Sequence, residues 1–360
     1  MINKDRLVET FCNLVKIDSP SGEEKEIGEY LIKQLQQLGF KVKRDNYENV
    51  IASNSDSSNP FLLSAHMDTV EPGRGIQPRI DNGQIISDET TILGGDCKAG
   101  MSAILEAITT AKEQKIDTVP LQIVLTREEE VGLRGARNLD YSLINAKQAI
   151  IFDGNGSVEK IHMASPTYVS IDIEITGKAA HAGGEPEKGI SAIRIAAEII
   201  TNLKQGRIDH ETTINIGKIN GGLIRNGVPE KTTIIGEFRS RNLETLELTH
   251  RHVTDTINNV KMNNPKATID EKIHVESDGY SLSEENSLVK FAKNHIKTIG
   301  LTPVNEYSGG CTDANIFNKN SIQSVVVGMG TYDMHTKKEY VIIDELMNTS
   351  KFCLSTIRKE

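Results

Sequence analysis

The sequence predicts an α/β chain: a domain with a largely parallel sheet flanked by helices, interrupted by an inserted α+β domain. Three observations predict it. Short, continuous apolar runs alternate with helical periodicity from residue 1 to about 160. Near residue 165 the pattern changes to half-exposed alternation in the order βαββαβ, the ferredoxin-like split-βαβ order. Beyond residue 277 a helix and a continuous apolar run resume the first rhythm. The boundaries are 1–165 for the first part of the outer domain, 166–277 for the insert and 278–360 for the second part.

Each element has its own reason. Residues 4–15 put Leu7, Phe11, Leu14 and Val15 on one helical face. "EEKEIGEYLIKQLQQLGF" aligns Ile27, Leu31, Leu35 and Leu38, opens after Ser21-Gly22 and closes at Gly39. "FLLSA" (61–65), "LQIVLT" (121–126) and "AIIF" (149–152) are short enough for strands and continuous enough to be covered on both faces. "KAGMSAILEAITTAKEQK" reads as the helix between the first two. In the insert, 167–176, 212–219, 231–239 and 267–275 read as strands, and 190–205 and 243–262 as helices. "SLVKFAKNHIKTIG" is then a helix and "SIQSVVVGMG" a buried strand.

The 360 residues are 37% apolar and 25% charged, with net charge −9 and no Lys/Arg-rich run, which argues against nucleic acid or an anionic membrane as partner. No stretch approaches the ~20 apolar residues of a membrane helix. "MINKDRLVETFCNLV" lacks the apolar core of a signal peptide. Cys12, Cys97, Cys311 and Cys353 form no CxxC, so the expectation is a reducing cytoplasm.

Chemistry-bearing residues follow the buried strands. "FLLSA" leads into "HMDTV", with His66 and Asp68; "LQIVLT" into "REEEVG", with Glu128, Glu129 and Glu130; "AIIF" into Asp153; "SVVVGMG" into "TYDMHTKKEY", with His335. Asp96 in "GGDCKAG" precedes a helix. In open α/β sheets ligands bind at the carboxyl ends of the strands, so these groups reach one edge. Taken singly, each has a bland reading: His-x-Asp as a surface pair, Asp96 as a helix cap, Asp153 as a turn residue. Together, two histidines and several carboxylates are ligand chemistry for zinc, cobalt or manganese.

This pattern resembles the M20 family of metallopeptidases, more closely its tripeptidase-T-like branch. The strings "HMDTV", "GGDCKAG", "EEEVG", "GKAAHAG", "GGLIRNGVPE", "GGCTDAN" and "DMHTKKEY" occur in the family's order over nearly the whole chain. The resemblance implies two divalent ions, zinc first with cobalt or manganese as alternatives. It implies His66, Glu130, Asp153 and His335 as ligands, one His and one carboxylate per ion, with Asp96 bridging. Three carboxylates and a bridging hydroxide would then balance two divalent ions. Asp68 is implied to fix the His66 tautomer and Glu129 to act as general base; Glu128, left over, reads as an ordinary solvated residue.

In the insert, which the resemblance implies is a lid and dimerisation domain, His181 would stabilise an oxyanion in a partner subunit's site. Asn226, Arg239, Gly309 and Gly310 would bind substrate, Arg239 through a bidentate grip on a carboxylate or, equally, as a surface ion pair. Cys97 and Cys311 stand as departures that read as packing residues or as oxidation-sensitive thiols. The implied activity is a di-metal exopeptidase acting on short peptides as a homodimer. An N-acyl-amino-acid amidohydrolase and a non-catalytic metal-binding protein are the alternatives.

Overall fold

The continuously apolar runs form the middle of a sheet, where both faces are covered. The computed structural model describes residues 1–359. In chain order come α1 (Lys4–Val15), α2 (Lys25–Gln37), β1 (Lys41–Arg44), β2 (Val50–Ser53), β3 (Phe61–His66), α3 (Gly95–Glu113), β4 (Leu121–Thr126), β5 (Gln148–Gly154) and β6 (Lys160–Ser165). The insert contributes β7 (Thr167–Thr176), α4 (Ala192–Asn202), β8 (Thr212–Gly221), β9 (Lys231–Ser240), α5 (Leu243–Asn263) and β10 (Thr268–Ser277). The chain then returns through α6 (Ser287–Thr298), α7 (Asp313–Lys319), β11 (Gln323–Gly328) and α8 (Ile343–Ile357). Two units result: Met1–Met163, Leu282–Tyr307 and residues 312 onward form one, Ala164–Ser281 with Ser308–Cys311 the other.

In the first unit the strand order is β1-β2-β4-β3-β5-β11-β6. The central pairs β4–β3, β3–β5 and β5–β11 are parallel. The flanking pairs are antiparallel. Of these flanking strands, β1 and β2 escape a pattern search because they are four residues long, with three of the four residues of "KVKR" polar, and β6 because His162 interrupts its apolar run. At the other end of the scale, α3 is buried along nearly its whole length. Small residues allow this: a Cβ on Gly100 would lie 2.3 Å from the Phe152 carbonyl oxygen, so the helix lies directly against β5 one residue before Asp153.

The second unit is an antiparallel sheet in the order β8-β9-β7-β10, with Gly206–Arg207 added beside β8. Alternation along β7 buries Val169, Ile171, Ile173 and Ile175. These pack with Ile195 and Ile199 of α4 and Val253 and Ile257 of α5 in a core of their own. Among the described residues, no helix is long and apolar enough to cross a membrane.

Candidate active site

The four parallel strands end at one edge. β3 closes on His66, which is in register with Thr126 at the end of β4. Between β5 and β11 the register slips after Phe152–Val327, so that Gly328 faces Gly154 and Asp153 is left outside the ladder. Such a bulge re-aims the side chain it frees. The loop after β11 carries His335, held at φ 64. Asp96 stands at the start of α3 with non-helical dihedrals (φ −81, ψ 108).

These residues divide into two donor sets that share one carboxylate. Asp96 Oδ1 is 3.1 Å from His66 Nε2, and Asp96 Oδ2 is 3.1 Å from His335 Nε2. Asp153 Oδ1 lies 3.4 Å from His66 Nε2, and Glu130 Oε1 lies 3.0 Å from His335 Nε2. Each set offers one imidazole nitrogen and carboxylate oxygens from two residues, with potential ligand atoms within 4.8 Å of one another. That chemistry would suit a pair of borderline divalent cations, with Asp96 common to both sets. Cys97 falls within the same distance in the His66 set, but its buried thiol donates to the Phe152 carbonyl.

Behind these donors, Asp68 does more than face an imidazole. His66 Nδ1 is 3.0 Å from the Asp68 main-chain oxygen and 3.4 Å from its carboxylate Oδ1. The carboxylate accepts main-chain N–H bonds from Glu129 (3.0 Å) and Glu130 (3.2 Å) and the Ser21 hydroxyl (2.6 Å). It therefore fixes the turn on which both glutamates stand. Glu128 is not a solvated bystander. Its side chain is 16% exposed, accepts the Tyr47 hydroxyl and lies 3.4 Å from Arg134 Nη1, while its main-chain N–H donates to Glu24. A turn residue at φ 46 next to a folded-back loop is screened from water in a way a charge run does not reveal.

The electrostatics express crowding of acids. Burial, then repulsion from Asp153, holds the Glu129 carboxyl well above the usual range, and burial pushes Asp153 up to about 8. Asp96 goes the other way: burial opposes ionisation, but hydrogen bonds from His335 and His66 outweigh it. His335, bonded to Asp96 and Glu130, is pushed up to about 10. A site in which acids and imidazoles must hold protons to offset one another is one that gains from bound cations.

The second unit holds the remaining expected residues. His181 Nδ1 accepts main-chain N–H bonds from Gly183 (3.2 Å) and Gly184 (2.9 Å), which places the ring proton on Nε2 in the neutral form. Asn226 lines one cavity with His181, and its main-chain carbonyl accepts from Ala182 N–H at 2.9 Å. Arg239 does not offer an open fork: Nε and Nη2 each donate at 3.0 Å to Glu237, two residues earlier on the same strand face. Its guanidinium lies 4.5 Å from the Tyr168 ring centroid, and Nη1 is 3.5 Å from the Gly309 carbonyl oxygen. Gly310 is held by the Ser165 hydroxyl on its carbonyl (2.8 Å).

A family model described as a peptidase dimerisation domain of the M20 type matches residues 164–265, and one described as M42 glutamyl aminopeptidase matches 80–165. The uncharacterized YqjE protein of Bacillus subtilis is 36% identical over 370 residues, covering 100% of this chain and 99% of its own. The structure of aminopeptidase PepT from Bacillus cereus superposes with TM-score 0.86 at 37% identity, over 99% of this chain and 98% of that one. A tripeptidase from Staphylococcus aureus does so with TM-score 0.92 at 35% identity, with the same coverage.

The chain belongs to the M20 metallopeptidases, in their peptidase T-like branch. It is a peptide-bond hydrolase of the exopeptidase kind. Two further buried acids stand close to these groups. Asp313 in "GGCTDAN" is buried, accepts the Thr126 hydroxyl on one oxygen, and is pushed up to about 6 by burial. Glu339 in "DMHTKKEY" is buried against the Asp96 turn. Both lie inside motifs quoted for other residues, so an acid at a buried strand or helix end was the available signal.

Proposed function

We propose that this M20 peptidase is a di-metal aminopeptidase that removes the first residue from short peptides, tripeptides above all, and works as a homodimer through the inserted unit. The observation that carries it is Asp96, whose two carboxylate oxygens each meet a different histidine at 3.1 Å. The names of the similar structures, an aminopeptidase and a tripeptidase, support the substrate class. Its four cysteines are free, which suits a reducing cytoplasm.

His66, Asp153 and Asp96 would hold one ion, and His335, Glu130 and Asp96 the other. When bound, the ions supply Lewis acidity toward the scissile carbonyl and an acidified water. Glu129 takes the proton from the attacking water at its carboxylate and delivers it to the leaving amine. Asp68 keeps Glu129 and Glu130 in place through their main-chain amides. His181 presents Nε2–H, the donor an oxyanion needs. Arg239, its fork filled by Glu237, steadies the Gly309–Gly310 loop and leaves Nη1 toward a peptide carboxylate.

Mass spectrometry of products tests this, using zinc-, cobalt- or manganese-loaded protein with tripeptides and their N-acetylated twins. Release of the first residue from free peptides alone is expected. Cleavage of the acetylated set alone would make the enzyme an N-acyl-amino-acid hydrolase. Glu129→Gln should lower kcat by about 10²–10⁴-fold while metal content stays at two per chain; full activity in that variant would remove Glu129 as the base.

A further inference from the structure

Glu339 is 1% exposed and follows His335 by four residues. Its Oε2 accepts main-chain N–H bonds from Leu93 (2.9 Å) and Gly94 (2.8 Å), and its Oε1 accepts from Asp96 N–H (3.0 Å). Donors at the start of a helix have no intrahelical acceptor, and burying them unpaired is costly. Acceptance on both oxygens requires a carboxylate, because an amide has one oxygen and points two hydrogens outward.

The turn is shaped to receive this side chain. Gly94 sits at φ 73. A Cβ on Gly95 would come within 2.8 Å of Thr331 Cγ2, 2.9 Å of Val341 Cγ2 and 3.2 Å of Glu339 Oε1. The Gly-Gly-Asp segment therefore lies flush on the arm that carries Glu339, and Asp96 leaves that segment with one oxygen toward each histidine. A purely space-filling acid would not need three amide donors on the residues leading into a bridging ligand.

We infer that Glu339 is a positioning residue: it builds the 93–96 turn before any metal arrives, and so sets Asp96 astride the two donor sets. This rests on the di-metal reading above. The arm of the chain that supplies His335 to one set thus also shapes the shared ligand, which ties the second set to the first through four residues of sequence.

Two measurements test it. In metal-free wild-type protein, hydrogen exchange should find the amides of Leu93, Gly94 and Asp96 already protected. Protection that appears only with added zinc would mean that the ion builds the turn, and would overturn the inference. Separately, competition with a chromogenic chelator should show Glu339→Gln binding zinc about 10- to 100-fold more weakly than wild type. In that variant kcat should fall, with KM at saturating zinc little changed. The core variant Leu35→Ala, on α2 where that helix packs over β1 and β2, lowers stability and should keep wild-type zinc affinity. A folded Glu339→Gln with wild-type affinity would also overturn the inference, and if that variant does not fold, the exchange result decides alone. Wild-type protein that binds no zinc, cobalt or manganese would instead refute the di-metal reading itself.

Discussion

Replacing Asp68 by Asn keeps the shape of a fully buried side chain and removes its charge and one acceptor oxygen. In the native protein the carboxylate receives the Ser21 hydroxyl at 2.6 Å and the amides of Glu129 and Glu130 at 3.0 and 3.2 Å, with His66 Nδ1 a further 3.4 Å away. Burial works against its charge, but His66 and these donors outweigh it and hold the carboxyl below its ordinary value. In Asp68→Asn one amide oxygen faces several donors, and its NH₂ group must point at another. Losing one hydrogen bond to a buried charged acceptor costs about 1.5–3 kcal/mol. At about 1.4 kcal/mol per tenfold, that is roughly 10- to 100-fold.

The loss falls on the turn that carries Glu129 and Glu130, so it should appear in kcat/KM and in metal affinity together. Steady-state hydrolysis of a tripeptide, run beside metal analysis of the dialysed protein, reads both. A kcat/KM within about threefold of wild type at unchanged metal content would refute the reasoning, because the three donors would then have found other partners without moving either glutamate.

Gly100→Ala should be more damaging than its size suggests, since the new methyl would sit 2.3 Å from the Phe152 carbonyl oxygen. Overpacking costs about 1–3 kcal/mol, and the shift of β5 should weaken metal binding through Asp153; denaturant unfolding and chelator competition measure the two effects. Glu128→Ala should cost only about 1 kcal/mol of stability and a few-fold in kcat/KM, because it removes the acceptor for Tyr47 but no metal ligand. A loss as large as that of Glu129→Gln would give Glu128 a catalytic role. His162 is buried beside Gly154, and burial holds its imidazole down to about 4. The unfolded chain takes up that proton near 6.5, so this contribution to stability is complete above 6.5 and is lost as pH falls through 4. The gap is worth about 3 kcal/mol, and urea unfolding at pH 7 and pH 4 should show a correspondingly smaller fall for His162→Gln than for wild type.

Much of the site was legible because the relevant physics is local. A continuous apolar run followed at once by a histidine or an acid marks the carboxyl end of a buried parallel strand; His66 and Asp153 stand at such ends, and Glu130 in the turn just beyond one. The amphipathic faces of α1 and α2 were legible for the same reason: Leu7, Phe11, Ile27 and Leu31 recur at helical spacing and are buried. Strand β1 was not, since "KVKR" has one apolar residue in four and gains its place by pairing with β2. Glu128 was misjudged because three adjacent acids look alike in sequence. Their difference lies in the reversal of the chain after Thr126, which sends the first toward Tyr47 and the other two amides toward Asp68. Arg239 was legible as a cation but not as an occupied one, although Glu237 at the next position on the same strand face was in plain view.

By itself, then, the sequence determined which histidines and acids arrive at one sheet edge, because strand ends and helix starts are written in residue order. Tertiary structure decided which histidine goes with which acid. His66 meets Asp153 across neighbouring parallel strands, whereas His335 meets Glu130 from 205 residues away. It also decided that Asp96 divides its two oxygens between the two histidines. Pairings across such separations depend on sheet order and on a slip in register, and neither leaves a local mark in the chain.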